Sequence, residues 1–243
     1  MSTVAGPLLD VERDTFFQEG AYVGSIFNFI TEEEVEKLNK LIPLLQKYTV
    51  ERRDTLMCRY NYELTHEELK TLEFKHSIPL SEFEARDKFA KENNRFIQQI
   101  FLEFGIGDPI EGLHNEDVAL LMEIKLRILK FFYQELSVKP APMPMFMLYE
   151  DGHFISRHKD GARTNNPDRA CVIILYLTPE AEYNDGGGEL IVTTNSGKVL
   201  ETKPVFGSFS MLDFTQSDVE HSVNVIKNGF KRLSSIYFFD EDR

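Results

Sequence analysis

The chain has 243 residues, with 40 acidic against 27 basic side chains and a formal net charge of −13. That excess argues against a protein devoted to gripping phosphate backbones, and no run of about 18 apolar residues marks a transmembrane helix. Only Cys58 and Cys171 are present, too few for a disulfide framework and in keeping with a reducing, cytoplasmic setting. The start, MSTVAGPLLDVERD, lacks the basic segment and continuous apolar run of a secretory signal. Twenty Phe and nine Tyr, with no Trp, suit a thick aromatic core.

In chain order, residues 21–30 (AYVGSIFNFI) are apolar and β-prone and predict a strand. Thr31 and Glu34 form a capping-box pattern flanked by a possible Ile30–Val35 staple. Val35, Leu38, Leu41 and Ile42 then recur at helical spacing, predicting a helix over about 32–47 that Pro43 bends or shortens. The same cap pattern returns at Thr65 with Glu68 and at Ser81 with Glu84. The second heads a longer helix over 82–103 carrying Phe83, Phe89, Phe96, Ile97 and Phe101. Gly105-Ile106-Gly107-Asp108-Pro109 breaks the pattern, and a helix over about 116–136 follows with Leu120, Leu121, Ile124, Ile128 and Leu129 inward. Glu67, Glu68, Glu82 and Glu84 read as solvated first-turn carboxylates, and His66, His76 and His114 have no partner at ligand spacing. The prolines at 140, 142 and 144 mark the passage from helices into strands, across too short a stretch to separate domains. Residues 1–243 are therefore expected to form one domain, with 20–140 a mostly helical support and 145–240 a β core.

Strands are predicted over 145–149, 153–157, 171–177, 189–192, 199–202, 207–212 and 232–239, separated by short Gly-, Asn-, Asp- and Pro-rich intervals. Helices first and many short strands afterwards suggest an α+β fold, with a curled antiparallel sheet pair braced by helices. Within it lies His158-Lys159-Asp160. In an extended strand, His158 and Asp160 would share one face while Lys159 points away. With His221 they would supply two imidazoles and a carboxylate, a donor set that suits non-haem Fe(II) and leaves coordination positions open. Taken alone, His-x-Asp is a common pair, and a loop carboxylate with two unrelated histidines explains it as well. Gly186-Gly187-Gly188 reads as a tight, close-packed turn, since no helix or Lys-Ser/Thr signature follows for a phosphate cradle. Asp185 and Glu189 read as local polar partners, and His153 as a turn-adjacent histidine.

The motifs gain weight from their order. Tyr149, His158-Lys159-Asp160, the run Val172-Ile173-Ile174-Leu175-Tyr176-Leu177, Asp185-Gly186-Gly187-Gly188-Glu189-Leu190, His221-Ser222-Val223, Gly229 with Lys231, and Ile236-Tyr237-Phe238-Phe239-Asp240 follow one another. Over residues 145–240 this succession resembles the prolyl 4-hydroxylase-like branch of the Fe(II)/2-oxoglutarate-dependent dioxygenases. The resemblance implies a double-stranded β-helix (jelly roll, cupin-like) core, with His158, Asp160 and His221 as Fe(II) ligands. It puts Lys231 and Tyr176 at the distal carboxylate of 2-oxoglutarate, and Tyr149 near the metal and the cosubstrate's other end. The presence of Asp160 favours hydroxylation over the halogenation performed by relatives that lack it.

The implied reaction consumes 2-oxoglutarate and O2, releases succinate and CO2, and hydroxylates an unactivated C–H bond, with ascorbate as a candidate stimulant. The implied substrate is a prolyl residue of a peptide or protein, or a related amino-acid substrate. A natural-product or free amino-acid tailoring hydroxylase is the alternative within enzymes, and a non-catalytic barrel-fold binding protein the alternative outside them. Nucleic acid and membrane partners fit the composition poorly. Arg157, Arg169 and Tyr237 are candidate substrate-facing residues, and the polar segment 161–168, with Arg163, is a candidate substrate loop.

Overall fold

The capping box read at Thr31 is formed. The Thr31 backbone N–H donates to the Glu34 carboxylate at 2.8 Å, and the Glu34 N–H donates back to Thr31 Oγ1 at 3.3 Å. The structure, a computed structural model, describes residues 7–51, 57–60, 99–104, 115–134, 136–138, 145–160, 169–215 and 219–242. Helix α1 (Pro7–Glu19) leads into strand β1 (Ala21–Ser25). The expected strand over 21–30 ends early, because Ser25 Oγ accepts from the Phe27 N–H and the chain turns into a 3-10 helix at Ile26–Asn28. Helix α2 (Glu32–Glu51) continues through Pro43, beyond the expected end. Strands β2 (Met57–Tyr60) and β3 (Gln99–Phe104) precede helix α3 (Asn115–Phe132).

The helix expected over 82–103 is corrected at its end, where β3 lies. This strand pairs with three others, and that tertiary pairing outweighs the helical spacing of its apolar residues. Residues 82–98, both later capping patterns, the 105–109 break and the proline-rich 139–144 stretch lie outside the described residues. The expected division into helical support and β core is also less clean, since β1, β2 and β3 come from the first half and enter the sheet.

The remaining strands are β4 (Met145–Tyr149), β5 (Phe154–His158), β6 (Arg169–Tyr176), β7 (Leu190–Thr193), β8 (Val199–Thr202), β9 (Ser208–Asp213), β10 (Glu220–Val223) and β11 (Arg232–Asp240). Strand β10, which carries His221, was not among the expected strands. The described strands form one antiparallel sheet in the order β1-β9-β6-β11-β4-β3-β5-β10-β7-β8, with β2 alongside β3. The double-stranded β-helix (jelly roll, cupin-like) expectation is therefore corrected. The path is open, and its end strands β1 and β8 are not hydrogen-bonded to each other. The physical reason is β3, which pairs with β4 through Leu102↔Leu148 and with β5 through Gln99↔Ile155. It thereby joins into one sheet two runs of strands that would otherwise be separate.

Side-chain alternation gives the sheet two apolar faces. Phe146, Leu148, Ile173, Leu175, Leu233 and Phe239 cluster with helical residues such as Phe16, Leu41, Leu45, Leu121, Ile128 and Phe132. The helix residues expected to face inward, Leu120, Leu121, Ile124, Ile128 and Leu129, are all buried. On the other face Met147, Tyr149, Val172, Ile174, Tyr176 and Ile236 share a second cluster with Leu190, Val192 and Val223. With both faces covered, β6 reads as an uninterrupted apolar run. Among the described residues no helix is long and apolar enough to cross a membrane.

Candidate metal centre

His158 closes β5 and lies directly opposite His221 in the antiparallel β5–β10 pair. Their rings stand 4.2 Å apart. Each Nδ1 faces a backbone carbonyl, Ser156 O at 2.8 Å for His158 and Val219 O at 3.3 Å for His221. A carbonyl only accepts, so each Nδ1 carries a proton, and each Nε2 either donates to Asp160 or, deprotonated, offers its lone pair to a metal. Both Nε2 atoms converge on Asp160, at 3.3 Å from its Oδ1 and 3.5 Å from its Oδ2. Burial works against the Asp160 carboxylate, but the hydrogen bond from His158, the charges of the two histidines and Arg169 hold its pKa below the usual value. One donor atom from each residue fits within a 4.8 Å span, so the three could hold a single metal ion. Asp160 lies past the end of β5, so its place depends on the chain bend as well as on strand alternation.

The three side chains open into a cavity of about 100 Å³ walled by Tyr149, Ile174, Leu190, Leu212, Ile236 and Phe238. Its basic residue is Arg232, and Lys231 is not part of its lining. The Lys231 side chain is 52% exposed and sits 3.7 Å from Glu150, whereas Arg232 is 1% exposed and lines the cavity. Directly opposed residues on antiparallel strands share a face. Arg232 opposes Tyr149, while Ser234 opposes both Met147 and Tyr176. The even-numbered side chains of β11 therefore join the tyrosines, and Leu233 and Phe239 go to the helices.

The Arg232 guanidinium carbon lies 4.4 Å from the ring centre of Tyr149 and 5.1 Å from that of Tyr176. Burial pushes the Tyr149 phenol up to about 12, against the opposing pull of Arg232. The Tyr176 hydroxyl, behind the guanidinium, is hydrogen-bonded to Ser210 Oγ at 3.0 Å. Arg232 Nε and Nη1 and the neighbouring Ser234 Oγ are buried without hydrogen-bond partners. A buried cation with two nitrogens left without partners is costly unless an anion reaches it. This end of the cavity therefore fits the carboxylate of a small acid, and the His–Asp–His donors fit a divalent metal.

The other sequence candidates divide. Arg169 lies 4.1 Å from the centre of the Phe238 ring, which walls the cavity, and 3.7 Å from Asp240 Oδ1. Arg157 lies outside the cavity lining. It is exposed, bonded to Thr193 Oγ1 at 3.1 Å and ion-paired with Glu220 at 2.5 Å. Tyr237 packs edge-on against Phe239 beside the helical cluster, and Phe238 takes the cavity face. His153 is buried in the turn, where its Nδ1 accepts from the Glu150 N–H. Glu189 accepts from Tyr183 and Asn224, as expected of a local partner. Arg163 and the 161–168 segment lie outside the described residues. Ser234 escaped sequence reasoning, and Arg232 was read as the surface neighbour of Lys231; the signal for both was the strand register opposite Tyr149, which requires knowing that β11 pairs with β4.

Comparison with known proteins agrees with this chemistry. The profile of the 2OG-Fe(II) oxygenase superfamily matches residues 144–240. No relative was found among curated proteins. The fold resembles a Trichoplax adhaerens prolyl hydroxylase in complex with a hypoxia inducible factor oxygen degradation domain peptide fragment. That likeness has a TM-score of 0.60 at 16% identity and covers 96% of this chain and 89% of that one. A Pseudomonas putida prolyl-4-hydroxylase gives 0.55 at 18% identity, covering 97% of this chain and all of that one. A Burkholderia pseudomallei oxidoreductase of the 2OG-Fe(II) oxygenase family gives 0.55 at 13%, covering 99% and 93%. At such identities these likenesses speak for the fold, while the profile and the clustered donors speak for the chemistry. The stretch 144–240, which carries His158, Asp160 and His221, matches the 2OG-Fe(II) oxygenase superfamily, and its clustered donors fit the chemistry of an Fe(II)- and 2-oxoglutarate-dependent dioxygenase.

Proposed function

We propose that the chain hydroxylates a prolyl residue of a peptide, or a closely related amino-acid substrate, using His158, Asp160 and His221 as its iron ligands. Arg232 holds the distal carboxylate of 2-oxoglutarate in this reading, in the role first expected of Lys231. The observation that carries it is the buried Arg232 guanidinium, with Nε and Nη1 lacking hydrogen-bond partners, in the same cavity as the His–Asp–His cluster. When bound, iron with 2-oxoglutarate and O2 supplies the oxidative decarboxylation and the C–H hydroxylation, which is cofactor chemistry. The protein aims and encloses. Ser234 Oγ, two residues along the same strand face, offers a further hydrogen bond to the carboxylate. Tyr149 and Tyr176 keep the guanidinium flat against the wall, and the apolar side chains around the metal exclude water.

The prolyl reading is supported by the fold shared with prolyl hydroxylases, one of them bound to a peptide. Arg169 contributes from beside Phe238, where its Nε is buried without a hydrogen-bond partner and can take a carbonyl or carboxylate of the substrate. The test is succinate formation with proline-containing peptides against free amino acids, with product mass determined. Turnover stimulated by peptides and a mass gain of one oxygen on proline are expected. Stimulation by free amino acids alone would move the substrate to the small-molecule class, and no stimulation by any substrate would favour a binding protein.

A further inference from the structure

Three consecutive glycines precede β7, and each gives its side-chain space to the segment between β10 and β11. A Cβ on Gly186 would run into Phe230, and one on Gly187 into the Val225 carbonyl. The bed is tied down by backbone bonds, from Lys227 N–H to Gly186 O at 2.7 Å and from Asn224 N–H to Glu189 O at 3.0 Å. Gly188 differs from its neighbours in what it touches. A Cβ there would collide with Ile226 Cδ1 and stand 3.2 Å from Arg232 Cδ and 3.7 Å from Arg232 Cβ. Its φ of +78° is also one that side chains rarely adopt.

We propose that Gly188 is a positioning residue for Arg232. Its bare α-carbon is the surface on which the arginine stem lies, and so sets how far the guanidinium reaches into the cavity. The inference rests on Arg232 being the 2-oxoglutarate anchor. A shift of a few tenths of an ångström in the stem moves the planar fork out of line with a carboxylate, where two parallel bonds demand alignment. It leaves the histidines and Asp160 untouched.

The test separates this role from that of a turn glycine. Gly188→Ala combined with Ile226→Val removes the Cδ1 collision and leaves the contact with Arg232. Gly197→Ala is the control, since Gly197 has φ +83° but nothing within 4 Å of its would-be Cβ. Both proteins pay the same backbone strain. Binding of 2-oxoglutarate to the Mn(II)-loaded protein is measured calorimetrically, with Mn(II) affinity and melting temperature alongside. The expected result is 2-oxoglutarate affinity roughly five- to tenfold weaker in the double variant alone. Mn(II) binding should be unchanged in both, with a higher KM for 2-oxoglutarate at little-changed kcat. If Gly188→Ala/Ile226→Val does not fold, Gly188→Asn in the same Ile226→Val background adds a Cβ in a residue that tolerates positive φ. Wild-type 2-oxoglutarate affinity in the folded variant overturns the proposal. Arg232→Met, measured in parallel, isolates the underlying reading: if it too binds normally, the arginine assignment has failed rather than the glycine's.

Discussion

Replacing Arg232 and Lys231 one at a time asks which of two adjacent cations serves the cavity. The Arg232 side chain is fully buried with Nε and Nη1 unpartnered, whereas Lys231 is half exposed beside Glu150. Removing one member of a buried, hydrogen-bonded charge pair costs about 2–5 kcal/mol. At about 1.4 kcal/mol per decade, Arg232→Met should weaken 2-oxoglutarate binding roughly 30-fold to several-thousand-fold. Lys231→Met removes only a solvent-screened contact, worth under about 1 kcal/mol, and should leave the affinity nearly unchanged. A second consequence has the opposite sign. Without cosubstrate, Arg232 is a buried charge lacking an anion, so Arg232→Met should raise the stability of the cosubstrate-free protein by about 1–4 kcal/mol. The rise in melting temperature on adding 2-oxoglutarate should then vanish. Calorimetric titration of the Mn(II)-loaded proteins and thermal denaturation with and without 2-oxoglutarate measure both effects. Lost affinity in Lys231→Met with retained affinity in Arg232→Met would refute the register argument outright.

His158→Ala and His221→Ala should each abolish tight Fe(II) binding and succinate formation in a folded protein, checked by anaerobic metal titration and circular dichroism. Lys125 is fully buried on α3 with Ser235 Oγ at 2.5 Å, and burial holds its pKa well below the usual lysine value. The unfolded chain therefore binds the proton that the folded chain releases, and stability rises with pH up to the ordinary lysine pKa. Lys125→Met should flatten that slope and stabilise the protein by about 1–3 kcal/mol at neutral pH, read from urea denaturation across pH. Glu34 is held at about 2, chiefly by its hydrogen bond from Arg127, with a smaller contribution from the Thr31 cap. Its stabilisation is present above the ordinary glutamate pKa and lost as pH falls through about 2. Because Arg127 is partly exposed, Glu34→Gln should cost only about 1 kcal/mol at pH 7, with the difference from wild type shrinking in acid.

Local chemistry was legible wherever neighbouring residues make it. Thr31 and Glu34 close their own capping box within one turn, so no distant contact is needed. The α3 residues Leu121, Ile124 and Ile128 are buried as their 3.6-residue period requires. The strand pattern after Met145 was likewise visible in alternating or continuous apolar runs. Helical spacing misled at 99–103, because β3 is held by strands from distant parts of the chain and local periodicity carries no record of that.

Two histidines and an aspartate of metal-binding type are legible in the chain, and the order of the motifs around them carries the resemblance that implies iron and a keto acid. The alternation of β11, with Lys231 and Arg232 on opposite faces, is legible too. Which face meets the cavity depends on the neighbours that β11 finds in the folded sheet. A one-residue exchange flips every side chain of a strand, and both faces of β11 are apolar enough to be buried. Pairing with Tyr149 on β4 and Tyr176 on β6 resolved it, through hydrogen bonds between segments far apart in the chain. The same kind of contact set the sheet's topology: β3 joins the two runs of strands, an outcome that depends on which backbone edges meet in space.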